Sequence, residues 1–181
     1  ALAPLIGEGR VFSMEMPQFG RRSDTWIIAG RASSGAPMFG GLGLIGPSPL
    51  KINSSNAPVA ILIGPFTASS GEALLVSFLG RPNTRTFGQP TYGAPTATQG
   101  VSLPDGAELI IGIGRDVDRT GQTYEDKIEP DEQVAGMDND DESAAIVAAS
   151  RWVRSIGGCA DQVSGEIFKR SLSNPIAVFK K

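Results

Sequence analysis

The chain has 181 residues, 40% of them hydrophobic and 19% charged, which is typical of a single compact domain. Its net charge of −3 argues against a nucleic-acid module, and its apolar runs are far shorter than the roughly 18 residues that a membrane-spanning helix needs. The lone Cys159 excludes an internal disulfide, and the absence of histidine removes the commonest general base and metal ligand.

Short apolar runs separated by Gly, Pro and Ser predict strands and turns over residues 1–56, with Val11 to Met16 and Thr25 to Ala29 among them. The chain starts without Met and without the regions of a signal peptide, which predicts a processed or truncated piece. The β-branched run from Pro58 to Gly64 predicts a strand buried on both faces, at the centre of the sheet.

A tight turn and a helix are expected directly after this strand. Apolar residues surround most of the segment from Ala73 to Leu79, so a buried helix is predicted to start near Ser70 and to stop at Gly80. Ser69 and Glu72 have the spacing of a capping box, which by itself needs no chemistry. The same turn could instead present the Ser69 hydroxyl to a crevice, beside amide groups that stabilise an oxyanion.

A short strand over Thr84 to Gly88 and a β-hairpin over Val101 to Gly114, turning at Pro104 to Gly106, are predicted next. Nine acidic residues then lie between Glu125 and Glu142. They favour a solvated loop that feeds a helix over about residues 141–155, and a cation site is the alternative.

Two further segments match known motifs in residue type and spacing alone. Gly41 to Gly46 has the spacing of a dinucleotide-binding loop, but prolines follow where a helix would have to begin and the expected acid is missing. Asn53 begins a glycosylation sequon whose chance frequency is high.

Several blocks, in order, resemble the carboxy-terminal-processing and tricorn-type serine peptidases. The opening segment up to Gly9 looks like the stretch that follows the glycine-rich motif of this family. The other blocks are the strand Pro58 to Gly64, Thr67-Ala-Ser-Ser-Gly-Glu72, Phe87-Gly-Gln-Pro-Thr-Tyr-Gly93, Leu103-Pro-Asp-Gly106, Asp118-Arg-Thr-Gly121 and Ile128-Glu-Pro-Asp131.

The resemblance implies roles for individual positions. Ser69 matches the nucleophile, and the backbone N–H of Ser70 matches one half of the oxyanion hole. The lysine base of the carboxy-terminal-processing branch falls at Ala94, which cannot accept a proton. The serine block is closer to the Ser–His branch, in which Glu125 is the nearest match to an orienting acid. One more solvated acid is the alternative interpretation of Glu125, and Lys51 or Lys127 are substitute bases with no support from motif spacing.

The resemblance implies an α/β, crotonase-like core with a central, mostly parallel sheet, a β-hairpin and flanking helices. We expect residues 1–158 to form the nucleophile-bearing part of a serine endopeptidase, and residues 159–181 to be a tail of unassigned packing. The base would be a histidine from chain outside this sequence, and the isolated chain is expected to be nearly inactive. The partner is a peptide or protein substrate, no metal or organic cofactor is implied, and a homo-oligomer stays open. A catalytically inactive peptide-binding domain of the same fold is the alternative.

Overall fold

The computed structural model describes residues 2–28, 31–34, 56–134 and 143–157. The helices in these ranges are α1 (Ala3–Ile6), α2 (Ser70–Phe78) and α3 (Ser143–Gly157), and a 3-10 turn spans Pro17–Phe19. The strands are β1 (Gly9–Met16), β2 (Arg21–Ile28), β3 (Arg31–Ser34), β4 (Val59–Ile63), β5 (Thr84–Gly88), β6 (Thr96–Ser102), β7 (Glu108–Asp118), β8 (Thr123–Tyr124) and β9 (Glu132–Gln133). No helix in this part of the chain has both the length and the hydropathy needed to cross a bilayer.

The strands form two sheets, one antiparallel and one parallel. The antiparallel sheet has the order β3-β2-β1-β7-β6, with β8 also paired to β7, and the parallel sheet has the order β4-β5-β9. The resemblance implies a central, mostly parallel sheet, and the structure differs because β1 pairs antiparallel both with β2, to which a short turn joins it, and with the long strand β7. Within the described residues β4 lies at an edge of its sheet, and four of its five residues are half-buried.

A βαβ unit places the start of α2 beside the end of β4. Strand β4 pairs in parallel with β5, from Val59 opposite Thr84 to Ile63 opposite Gly88. Helix α2 connects these strands, and its buried residues Leu75 and Val76 pack against Ile63 and Ile128. Each such buried side chain contributes about 1.5–3 kcal/mol. The sequence prediction of a strand, a tight turn and a buried helix is therefore confirmed.

Helix α2 contacts β1 and β7 of the antiparallel sheet, while α3 covers β4 and β5. On α3, the ring of Trp152 lies 5.8 Å from that of the fully buried Phe87 on β5. Phe78, near the end of α2, packs with Ile6, Val11 and Ile27. The parallel sheet thus has one helix on each face, and the turn before α2 lies at the carboxyl end of β4.

The predicted hairpin is confirmed, with its turn closed by a hydrogen bond of 2.8 Å from Leu103 N to Ala107 O. The paired strands extend beyond the predicted range, to Thr96 and Asp118. The predictions for residues 41–46, Lys51, Asn53, the acids from 138 to 142 and the tail from Cys159 to Lys181 lie outside the described residues.

Candidate active site

Ser69 lies in an exposed turn immediately before α2, with φ +51° and ψ −114°. Gly71 N donates to Ala68 O at 2.9 Å, so residues 68–71 form a β-turn with Ser69 as its second residue. These dihedrals are those of a type II′ turn, where glycine predominates at this position. A serine held there costs about 1–3 kcal/mol, and such strain is typical of functional sites.

The fully buried carboxylate of Glu72 fixes this turn by hydrogen bonding. Its Oε2 accepts hydrogen bonds from Ser69 N at 2.8 Å and from Ala94 N at 2.9 Å. Its Oε1 accepts from Thr91 Oγ1 at 2.6 Å and from Gly93 N at 2.9 Å. The first of these bonds is the Glu72 half of the predicted capping box. Because Ser69 N and Ala94 N share one oxygen, the segment that ends at Ala94 lies beside the serine turn.

Further bonds hold residues 91–94 against the loop before Ser69. Tyr92 N donates to Thr67 O at 2.9 Å, and Thr91 N donates to Ile128 O at 3.1 Å. Ile128 N donates in return to Thr91 Oγ1 at 2.9 Å. Position 94 is therefore next to the nucleophile candidate, as the resemblance implies, but it carries only a methyl group.

Lys127, one of the substitute bases, lies close to this segment. A Cβ added to Gly93, whose φ is +96°, would lie 2.9 Å from Lys127 Cγ. The Lys127 side chain is nevertheless exposed, and no hydrogen bond in the described ranges joins it to Ser69. Proximity to Gly93 does not by itself make Lys127 a base.

Ser70 is the first residue of α2, and its backbone N–H takes part in no hydrogen bond among the described residues. The first amides of a helix have no partner within the helix. This free N–H adjoins the Ser69 hydroxyl and can donate to an oxyanion that forms there. The oxyanion role that the resemblance implies for Ser70 stays a prediction.

Glu125 is not brought to Ser69 by any hydrogen bond or ion pair in the described ranges. Its side chain is 60% exposed and forms an ion pair with Arg115, which also bonds Glu15 at 3.3 Å. Arg115 and Asp116 are successive residues of β7, so their side chains point to opposite faces of the sheet. The orienting role of Glu125 stays a prediction.

Asp116 is a residue near the site that the sequence reasoning missed. It is only 2% exposed, and its N–H donates to Pro95 O at 3.1 Å. Burial, and secondarily the negative charge of Glu72, raise the pKa of Asp116 to about 6. Its carboxylate accepts no hydrogen bond from any described residue. No signal in the sequence singles out Asp116, because Arg115 and Asp118 at the same end of β7 are charged as well.

Two other acids in the resembling blocks have structural partners. Asp118 Oδ1 accepts hydrogen bonds from the backbone N–H groups of residues 120–122 and thereby closes the turn after β7. Asp131 Oδ2 accepts from Thr86 N at 2.8 Å and from Thr86 Oγ1 at 2.9 Å, which fastens β9 to β5. These blocks position the site and do not add reactive groups to it.

Residues 20–134 match the model of Peptidase family S41. The nisin-resistance protein of Lactococcus lactis subsp. lactis is 31% identical over 159 residues, which are 85% of this chain and 44% of that protein. A solved structure of a lipoprotein from Streptococcus agalactiae has 28% identity and a TM-score of 0.60, covering 85% of this chain and 47% of that one. The chain thus spans less than half the length of these two relatives.

Proposed function

The chain belongs to peptidase family S41, and we propose that it is the nucleophile-bearing part of a serine endopeptidase with a crotonase-like core. The observation that carries this proposal is the strained backbone of Ser69, which holds an exposed hydroxyl at the carboxyl end of β4. A capping serine alone would not need a positive φ, because N-cap residues usually have ordinary β-region dihedrals. The strain is better explained by a demand on where the hydroxyl points.

In this proposal Ser69 Oγ attacks the carbonyl carbon of a peptide bond while a base takes the hydroxyl proton. The carbonyl oxygen becomes an oxyanion, which the Ser70 N–H stabilises by a hydrogen bond. The tetrahedral intermediate then expels the amine, which receives the proton from the base, and an acyl-enzyme remains. Water, deprotonated by the same base, hydrolyses the ester and regenerates Ser69.

This chain has no general base at position 94, where the resemblance places the lysine of the carboxy-terminal-processing branch. Ala94 lies beside Ser69 through their shared bond to Glu72, and a methyl group cannot accept a proton. The sequence has no histidine. We therefore propose that a histidine from a part of the protein outside these 181 residues is the base. The isolated chain should then hydrolyse peptides several orders of magnitude more slowly than the longer protein.

The test compares Ser69→Ala with Ser70→Ala in a protein that includes the region upstream of this chain. Ser69→Ala should abolish both peptide hydrolysis and fluorophosphonate labelling. Ser70→Ala should keep most of each, because the proposed oxyanion donor is a backbone N–H that alanine retains. The substrates should include nisin, since the Lactococcus relative is named for resistance to it. Activity that survives Ser69→Ala would refute the assignment.

A peptide-binding domain without catalysis is the second candidate, and the methyl group of Ala94 at the base position favours it. This function predicts that the longer protein binds peptides with the same affinity before and after Ser69→Ala. It also predicts no fluorophosphonate labelling in either protein. Labelling of the unsubstituted protein at Ser69 would exclude this candidate.

A further inference from the structure

Asp116 is almost wholly buried as a residue near the serine turn, and no described residue donates a hydrogen bond to its carboxylate. The residue is 2% exposed, and its backbone is bonded to Pro95, the residue after Ala94. Buried carboxylates without partners are costly, and folded proteins almost always pair them. A hydrogen-bond donor for Asp116 would therefore have to come from outside the described residues.

The surroundings of Asp116 show which face of the sheet it occupies. In the antiparallel sheet, Asp116 lies opposite Met14 on β1 and opposite Tyr124 on β8. The Tyr124 side chain packs against the hydrophobic cluster to which α2 contributes. Side chains directly opposite one another in a ladder share a face. Asp116 therefore points towards α2, the helix that follows Ser69 and carries Glu72.

The charged and titratable groups on this face offer Asp116 no partner. Glu72 on α2 is itself acidic and its oxygens already accept four hydrogen bonds. Asp118, two residues along β7, accepts a hydrogen bond from the Tyr124 hydroxyl at 3.0 Å. Arg115 points to the opposite face, where it bonds Glu15 and Glu125. The Asp116 carboxylate lacks a hydrogen-bond donor among the described residues, and an N–H group could supply that hydrogen bond.

We propose that Asp116 is a positioning residue whose carboxylate accepts a hydrogen bond from the N–H of the base that serves Ser69. This inference rests on the proposed function, since it needs a base that comes from outside the sequence. An acid in this position holds an imidazole in the tautomer that leaves its other nitrogen free to take the serine proton. Asp116 would then do what the resemblance assigns to Glu125. Glu125 already has a cationic partner and is largely exposed.

The experiment measures peptide hydrolysis by the longer protein carrying Asp116→Asn, Glu125→Gln or Ser69→Ala. Asp116→Asn should lower kcat on the order of 10²- to 10⁴-fold with little change in KM, because an amide favours the wrong tautomer. Glu125→Gln, the matched acid-to-amide control, should change kcat less than about tenfold. The urea midpoint of Asp116→Asn at pH 7 should equal or exceed that of the unsubstituted protein.

The outcomes separate this inference from the proposed function. If Ser69→Ala is inactive while Asp116→Asn keeps full kcat, Ser69 remains the nucleophile and the role of Asp116 is overturned. A loss of kcat in Asp116→Asn together with a lower urea midpoint would make Asp116 merely structural, which also overturns the inference. A large loss in Glu125→Gln alone would return the role to Glu125. Activity that survives Ser69→Ala removes the proposed function itself.

Discussion

Replacing Ser69 by glycine should leave the folded chain more stable than replacing it by alanine, although both substitutions remove the hydroxyl. The reason is the backbone at this position, where φ is +51° and ψ is −114°. Alanine keeps the Cβ that makes these dihedrals unfavourable, whereas glycine adopts them readily. The comparison isolates the backbone strain, since neither variant can cap α2 through its side chain.

The magnitude follows from two opposing effects. Relief of the strain favours glycine by about 1–3 kcal/mol. The greater freedom of glycine in the unfolded chain opposes this by about 0.4–1 kcal/mol. Taken between the middles of these two ranges, the net expectation is that Ser69→Gly is about 1 kcal/mol more stable than Ser69→Ala.

The measurement is urea unfolding of the 181-residue chain, with the four variants Ser69→Gly, Ser69→Ala, Ser70→Gly and Ser70→Ala. Residue 70 is the matched control because it is the first residue of α2, where glycine has no advantage. There alanine should be more stable by about 0.5–1 kcal/mol, so the sign reverses between neighbouring residues. Equal midpoints for the two Ser69 variants, at an unchanged m-value, would show that the turn is not strained and would remove the main support for the nucleophile.

Three further predictions concern the framework of the site, each measured by the free energy of unfolding of the same chain. Glu72→Gln should cost about 1–3 kcal/mol, since the new amide NH₂ must face at least one buried N–H donor. Glu108→Gln, at an exposed residue, should change the stability little. Equal effects of the two substitutions would contradict the hydrogen-bond network around Glu72. Gly80→Ala should cost about 1–3 kcal/mol, because φ is +73° and the new Cβ would overlap the side-chain methyl group of Thr120. Gly112→Ala meets open space and should be neutral or stabilising. Asp116 has a pKa of about 6 in the fold against 3.8 for the free side chain, so the folded state binds more protons in this window and loses stability as pH rises through it. Asp116→Asn should therefore match the unsubstituted chain near pH 4 and gain up to about 3 kcal/mol relative to it at pH 7; a constant difference across this range would contradict the raised pKa.

The elements around Ser69 were predictable because local chemistry specifies them. The apolar pattern of residues 73–79 indicates a buried helix, and the spacing of Ser69 and Glu72 places its start. Strand β5 was predicted with its observed bounds, Thr84 to Gly88. The turn at Pro104 to Gly106 contains residues whose backbone preferences close a hairpin without help from the rest of the chain.

The sheet arrangement was not predictable in the same way. An apolar run such as Pro58 to Gly64 indicates a strand, but it does not say which strands will pair with it or on which side. The pairing of β1 with β7 joins residues about a hundred positions apart, as Glu15 opposite Arg115 shows. Such contacts depend on the packing of both strands against α2, which no local pattern contains.

By itself the sequence determined the family, the serine candidate and the turn in which it lies, because these depend on neighbouring residues and on blocks in a set order. Only the tertiary structure revealed that Glu72 bonds Ser69 and Ala94 through one oxygen, and that the carboxyl of Asp116 lies buried on the α2 face of the sheet. Hydrogen bonds and desolvation act through space, and residues 69, 94 and 116 become neighbours only after the chain has folded.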